Sequence, residues 1–229
     1  MKKVLVKLSG ESLGGSGVDT KILRRTVREI SAAAKFGSLA IVIGGGNIWR
    51  FRDKKNLKID RVESDFLGMT ATIFNAVTLK NALAQIGLRV KVFSSIRVPE
   101  ELGEKYSAAA ARKFLARKGV AILAGGTGKP FVTTDTAAAL RAAELKCDLV
   151  VKATNVDGIF DRDPRKSRAA KLLKQVSFAE VLKQNLGVMD RKAFEVLAKK
   201  STPIRVFNFA KTGLLKKAVA GENVGSLVY

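Results

Sequence analysis

Apolar positions along the chain alternate between two periods, and the alternation runs from end to end. Val4-Leu5-Val6-Lys7-Leu8 is an apolar run of the length a buried strand needs. Asp19 then precedes Ile22, Leu23, Thr26, Val27 and Ile30, a helical face with Asp19 as its N-cap and Gly37 as its closing residue. Leu39 to Ile43 predicts a second strand, ended by Gly44-Gly45-Gly46. A long helix is expected from about Asp65 to Gln85, with Met69, Ile73, Ala76, Leu79 and Leu83 at helical spacing. Strands at 90–93, 120–123 and 148–152 alternate with helices at 107–117 and 135–146. Ser177 and Asp190 each open a short helical pattern, 204–209 is a strand, 213–220 is helical, and 227–229 adds a last strand. Pro99, Pro130, Pro164 and Pro203 fall in loops or at strand starts. Such β/α alternation predicts an α/β fold, a mostly parallel sheet with helices on both faces.

Composition narrows the class. A chain of 229 residues with 47% hydrophobic content supports one sizeable core, and 27% charged residues is an ordinary globular share. No apolar run approaches a membrane span, and Lys7 interrupts the Met1-Lys2-Lys3-Val4 start too early for a leader peptide, so a cytoplasmic location is expected. Cys147 is the single cysteine and reads as a buried, inert thiol. With no histidine, a Ser-His-Asp triad, a Cys-His pair and an imidazole zinc site are excluded. The net charge of +22 suits either a nucleic-acid binder or an enzyme for polyanionic substrates. Its basic pairs, Arg24-Arg25, Lys54-Lys55, Arg112-Lys113, Lys199-Lys200 and Lys216-Lys217, are scattered, as on a solvated surface.

Candidate chemistry gathers at the carboxyl ends of strands, where open α/β sheets bind ligands. The first strand leads into Lys7-Leu8-Ser9-Gly10, the second into Gly44-Gly45-Gly46-Asn47 with Arg50 beyond. The strand ending at Leu123 leads into Ala124-Gly125-Gly126-Thr127-Gly128, and the next into Lys152-Ala153-Thr154-Asn155. Glycine lets backbone N–H groups approach phosphate oxygens, lysine supplies compact charge, and arginine grips with two donors. Taken singly, such a turn is a tight connection and such a lysine reaches solvent. Four together favour a phosphate-handling α/β enzyme. None matches G-x-x-x-x-G-K-[ST] or a clear G-x-G-x-x-G.

An ordered set of segments goes further. Lys7-Leu8-Ser9-Gly10-Glu11, Gly44-Gly45-Gly46-Asn47, the run Gly126 to Asp135, and the run Ala153 to Phe160 with Asp163-Pro164 resemble the motifs of the amino-acid kinase superfamily. Gly187-Val188-Met189-Asp190 and Ile204-Arg205-Val206-Phe207-Asn208 narrow the resemblance to the bacterial uridylate kinases, over almost the whole chain.

The resemblance implies a single domain over 1–229, a three-layer α/β/α sandwich, with UMP held mainly by residues up to about 146 and ATP mainly by the remainder. By similarity Lys7, Leu8, Ser9, Gly10, Gly46 and Arg50 lie along the ATP phosphates, and Thr154, Phe160 and Asp163 line its nucleoside end. Phe160 either stacks on the base or fills the core, and its place in a glycine-containing turn favours stacking. Gly45 contacts UMP, Asp65 holds its ribose hydroxyls, and Thr127, Gly128, Lys129, Pro130, Phe131, Val132, Thr133 and Thr134 wrap the uracil and phosphate. Lys7 and Lys152 stabilise the transferring group. Asp135 holds Lys7 or a magnesium-bound water, a role compatible with capping its own helix. The implied cofactor is Mg²⁺ arriving with ATP and bound to no side chain directly. The implied assembly is a homohexamer, with the long helix either a contact or simply core-facing.

The acceptor is an already ionised phosphate oxygen, so transfer needs positioning and charge rather than a proton shuttle. Three features depart from the family: Lys129 replaces the usual asparagine beside the uracil, where it either touches the base or points to solvent. The loop at 13–17 is shorter than the one tied to GTP regulation in many relatives, and the net charge is high. A carboxylate or carbamate kinase is a second reading, opposed by the motif order and the Thr127–Asp135 segment. A kinase-folded nucleic-acid binder is a third, which would leave the nucleotide motifs unused.

Overall fold

Three parallel strands form the middle of the sheet. β1 (Lys3–Leu8) lies between β2 (Ser38–Ile43) and β6 (Leu149–Thr154), and Lys7 of β1 stands in register with Val42 on one side and Lys152 on the other. The structure is a computed structural model that describes residues 2–50, 57–187 and 189–229; Met1, the Lys54-Lys55 pair and Val188 lie outside the described residues. β3 (Val90–Ser94), β4 (Glu104–Lys105) and β5 (Val120–Ala124) extend the sheet beyond β2. β9 (Gln175–Val176), β10 (Ile204–Asn208) and β11 (Ser226–Val228) extend it beyond β6. The nine-stranded order is β4-β3-β5-β2-β1-β6-β10-β11-β9. Among the described residues its pairings are parallel except β10 with β11. β7 (Ile159–Phe160) and β8 (Leu172–Leu173) form a separate antiparallel pair.

Two apolar layers cover the sheet. Val4, Val6 and Leu8 pack with Val27 and Ile30 of α1 (Thr20–Ala34), Leu79 and Leu83 of α2 (Arg61–Gln85), and Leu215 of α7 (Leu214–Ala220). On the opposite face Leu5, Val42 and Val150 pack with Leu115 of α3 (Ala108–Ala116), Ala138 and Ala142 of α4 (Thr134–Leu145), Val181 of α5 (Phe178–Gln184) and Leu197 of α6 (Arg191–Lys199). The expected three-layer α/β/α sandwich is therefore what forms. The two-residue period of β1 and β6 has a consequence for chemistry. It turns Lys7 and Lys152 to the face of Leu5 and Val150, the face that α4 covers.

Caps set the helix starts. Asp19 accepts from the N–H groups of Lys21 and Ile22, Ser107 from Ala110, and Asp190 from Ala193, while Ser177 and Glu180 complete a capping box. Four expectations are corrected. The long helix begins at Arg61, because Asp60 accepts from Glu63 N–H and caps it one turn before Asp65. Gly37 is no left-handed cap; its missing Cβ lets it lie against the Lys2 carbonyl, 2.9 Å from where that atom would stand. Thr133, not Asp135, caps α4, because the Asp135 carboxylate is engaged with the sheet. Phe160 lies in β7 opposite Leu172 rather than in a turn. Cys147 is buried, and burial pushes its thiol up to about 12, which keeps it inert near neutrality.

Candidate active site

The adjacent lysines need an anion between them. Asp135, in the first turn of α4, supplies it: Lys7 Nζ stands 2.8 Å from Oδ1 and Lys152 Nζ 2.5 Å from Oδ2. The Lys152 contact is a hydrogen bond, whereas the Lys7 contact is a close ion pair without hydrogen-bond alignment. The three side chains are only 13%, 9% and 16% exposed for Lys7, Lys152 and Asp135. Burial, followed by the Lys7 charge, pulls the Lys152 ammonium below the usual lysine range, and Asp135 opposes them. One carboxylate thus holds two cations whose repulsion it does not fully cancel, a cluster suited to taking up a further anion.

One cavity is lined by Thr133 and Thr134, the residues just before Asp135, and another contains the two lysines. The first, about 320 Å³, is lined by Gly45, Gly46, Asp65, Thr127, Lys129, Val132, Thr133 and Thr134, with Trp49, Arg61, Ser64 and Thr72 among the rest. Gly45 is required by packing: a Cβ there would lie 2.7 Å from both the Ala71 Cβ and the Gly68 carbonyl of α2. Asp65 accepts from Arg61 Nε and from Phe131 N–H, 2.8 and 2.7 Å, which ties α2 to the loop before α4 and leaves carboxylate lone pairs free. Gly128, Pro130 and Phe131 do not line this cavity. Gly128 turns the chain against the Ser95 carbonyl, and Phe131, 63% exposed, adopts a left-handed backbone with Arg61 over its ring at 5.9 Å.

The second cavity, about 380 Å³, is lined by Lys7, Ser9, Glu11, Ser12, Arg25, Lys152, Thr154, Asn155, Asn208 and Phe209, among others. A neighbouring cavity of about 370 Å³ carries Phe160 and Asp163 and shares Val156, Arg165 and Gly187 with it. Leu8 is fully buried, so only its backbone faces this rim. Gly10 joins the two strand-end loops: a Cβ there would fall 2.2 Å from Asn47 Oδ1 and 2.9 Å from Gly46 N. Arg50 donates to the Gly46 carbonyl at 2.6 Å and pairs with Glu11, so it stands beside this rim. Asp190, at the start of α6, accepts from Thr133 and Thr136 of α4. Burial raises its carboxyl, but those bonds, the Ala193 N–H and the Lys152 charge outweigh it and leave it below the usual aspartate value.

The structure therefore brings Lys7, Lys152, Asp135 and the glycine loops to one rim, while Arg50 stands beside it and lines a separate cavity with Glu11, Gly46 and Asn47. It adds residues the sequence reading passed over. Arg61 lies in a first turn without apolar periodicity. Arg25 sits within a scattered basic pair, although its spacing from Ile22 and Glu29 puts it beside the buried face of α1.

Residues 2–208 match the amino acid kinase family. The chain is similar to the crystal structure of a UMP kinase from Bacillus anthracis, 36% identical, with a TM-score of 0.95 over 99% of this chain and 95% of that one. A UMP kinase from Ureaplasma parvum is 33% identical, with a TM-score of 0.93 over 99% and 98%. The uridylate kinase from Archaeoglobus fulgidus is 26% identical, with a TM-score of 0.79 over the full length of both.

Proposed function

The chain belongs to the amino acid kinase family, and from that premise we propose that it is a UMP kinase, transferring the γ-phosphoryl group of ATP to UMP in pyrimidine nucleotide synthesis. The observation that carries the reading is the Lys7–Asp135–Lys152 cluster, whose lysines line one cavity and whose aspartate follows Thr133 and Thr134, which line the other. UMP occupies the cavity bounded by Asp65 and the Thr127–Thr134 segment, within the first 146 residues. ATP occupies the cavity of Ser9, Thr154 and Asn208, extending towards Phe160 and Asp163. Lys7 comes from the first part of the chain yet lines the donor cavity, so the two parts share the junction.

In the reaction a UMP phosphate oxygen attacks the γ-phosphorus while the bond to the β,γ-bridging oxygen breaks, and ADP leaves. Lys7 and Lys152 face the charge spread over the transferring group, and Asp135 holds them in register. The acceptor oxygen is already ionised, so no group on the protein removes a proton. Among the described residues no cluster of three acidic or thiol side chains could hold an ion by itself. A donor set of phosphate oxygens and water would suit Mg²⁺ carried by ATP, with Asp135, already paired with two lysines, holding at most a metal-bound water. When bound, Mg²⁺ neutralises phosphate charge.

Val62, Phe66, Leu67 and Phe74 of α2 are exposed, apart from the face of that helix that fills the core. We assign them to contact with a second copy in a hexamer. Phe66→Glu with Phe74→Glu should lower the mass measured by light scattering. Among the described residues no helix is long and apolar enough to cross a membrane; ATP and UMP as substrates place the reaction in the cytoplasm.

The test is a panel of UMP, CMP, AMP and GMP with ATP and Mg²⁺, together with a hydroxylamine trap for acyl phosphates. UDP should form far faster than the other diphosphates, and the trap should stay empty. Activity on none of the four, or a trapped acyl phosphate, rejects the proposal.

A further inference from the structure

Among the described residues, one part-buried cation in the donor cavity, Arg25, pairs with no carboxylate. Arg25 projects from α1 and lines the cavity that also holds Lys7, Ser9, Lys152, Thr154 and Asn155. Its Nε is buried and finds no hydrogen-bond partner, and among the described residues no carboxylate pairs with it. Its guanidinium lies over the ring of Phe209, with Cζ 5.9 Å from the centroid. Phe209 is buried and tied by its N–H to the Thr154 carbonyl at 2.8 Å, so the ring that supports the guanidinium is itself fixed to the end of β6. A buried donor left without an acceptor is unfavourable. Of the cavity's other cations, Asp135 holds Lys7 and Lys152, and Arg165 is exposed to solvent.

Position gives the unpaired charge a meaning. Lys7 and Lys152 approach the sheet's rim from the α4 face, whereas Arg25 approaches from the α1 face. A polyphosphate crossing the rim meets the two lysines at one end and Arg25 at the other. We propose that Arg25 is a donor-nucleotide-binding residue that grips the non-transferred phosphates of ATP, holding the leaving diphosphate while the lysines face the moving group. This rests on ATP being the donor in this cavity. It predicts that Arg25 contacts substrate and product alike, because ADP retains both non-transferred phosphates. Its loss should therefore weaken both nucleotides without altering the acceptor side.

The experiment is calorimetric titration of ATP and of ADP, each with Mg²⁺, into wild type, Arg25→Lys and Arg25→Met, with kinetics and melting curves on the same preparations. Arg25→Met should weaken ATP and ADP binding about tenfold or more, the size of a lost charge-assisted hydrogen bond. KM for UMP should stay within about twofold, a split that loss of packing would not produce. Arg25→Lys should recover part of the affinity, since it restores the charge without the fork. Unchanged nucleotide affinity in Arg25→Met overturns the proposal, as does a parallel rise in both KM values with a lowered melting temperature in both variants. Wild-type protein that binds neither ATP nor ADP rejects the functional reading itself, an outcome separate from a failure of Arg25.

Discussion

The two sides of the rim are built from different materials. The donor side rests on strand ends: Lys7 and Lys152 stand in register on neighbouring parallel strands, and one carboxylate from α4 holds both. The acceptor side rests on helix and loop: Asp65 reaches from α2 to the Phe131 N–H, a contact 66 positions apart in the chain, and the loop takes left-handed backbone at Gly125, Gly126, Gly128 and Phe131. The lysine cluster is buried and strongly charged, whereas the other side is held by the hydrogen bonds that Asp65 accepts. Rate should therefore depend on the first and acceptor choice on the second.

The largest expected effect tests that division at the donor side. Lys152→Met removes the buried cation that the proposal sets against the transferring group and should lower kcat about 10²–10³-fold, the scale of losing one preorganised transition-state donor. Rapid-quench measurement of UDP formation should show the loss in the chemical step, with KM for UMP moving far less.

Asp135→Asn strikes the same cluster through its anion. Two lysines would then face each other without a counter-charge, and urea denaturation should show a loss of about 3 kcal/mol. The pH dependence has a defined sign. In the folded protein Lys152 holds its proton less tightly than in the unfolded chain, so its charged form costs stability. That cost is relieved as pH rises through the folded pKa. In activity, the alkaline limb of kcat assigned to Lys152 should lie below the ordinary lysine value. Asp135→Asn should move it lower still, because Asp135 is among the groups that raise it.

On the acceptor side, Asp65→Asn should raise KM for UMP about tenfold, the size of one weakened hydrogen bond to a charged group, while KM for ATP stays within about twofold. Equal rises in both would dissolve the contrast between the two sides. The smallest effect is expected at the exposed Arg50–Glu11 pair, where the side chains are 35% and 48% exposed. Glu11→Gln should change stability by less than about 1 kcal/mol, and less again at high salt.

The same contrast explains what was legible in the sequence. Strand ends carry local signals, so Lys7, Lys152 and the glycine loops stood out, and the periodicity of the central strands foretold the layers. Asp19 announced itself as a cap by residue type just ahead of a helical pattern, and Ser107, Ser177 and Asp190 stood at the starts of theirs. The first turn of α2, Arg61-Val62-Glu63-Ser64, faces a cavity rather than the core and shows no periodicity, so its start was placed one turn late. Strands of two residues, β4, β7, β8 and β9, are too short to alternate. Asp135 was tied to Lys7 only through the resemblance, because its partners lie on strands far away in sequence, and Arg25 read as solvated because its cavity forms only when α1 meets the end of β10.

The central claim is that two nucleotide cavities meet end to end at the lysine pair. An inhibitor joining adenosine and uridine through five phosphates would span both at once. Its inhibition pattern is the most direct measurement: the account predicts competition against both ATP and UMP, with affinity exceeding that of either substrate. Competition against one substrate alone, or affinity no better than that of a single nucleotide, would show that the two cavities do not share a line of transfer.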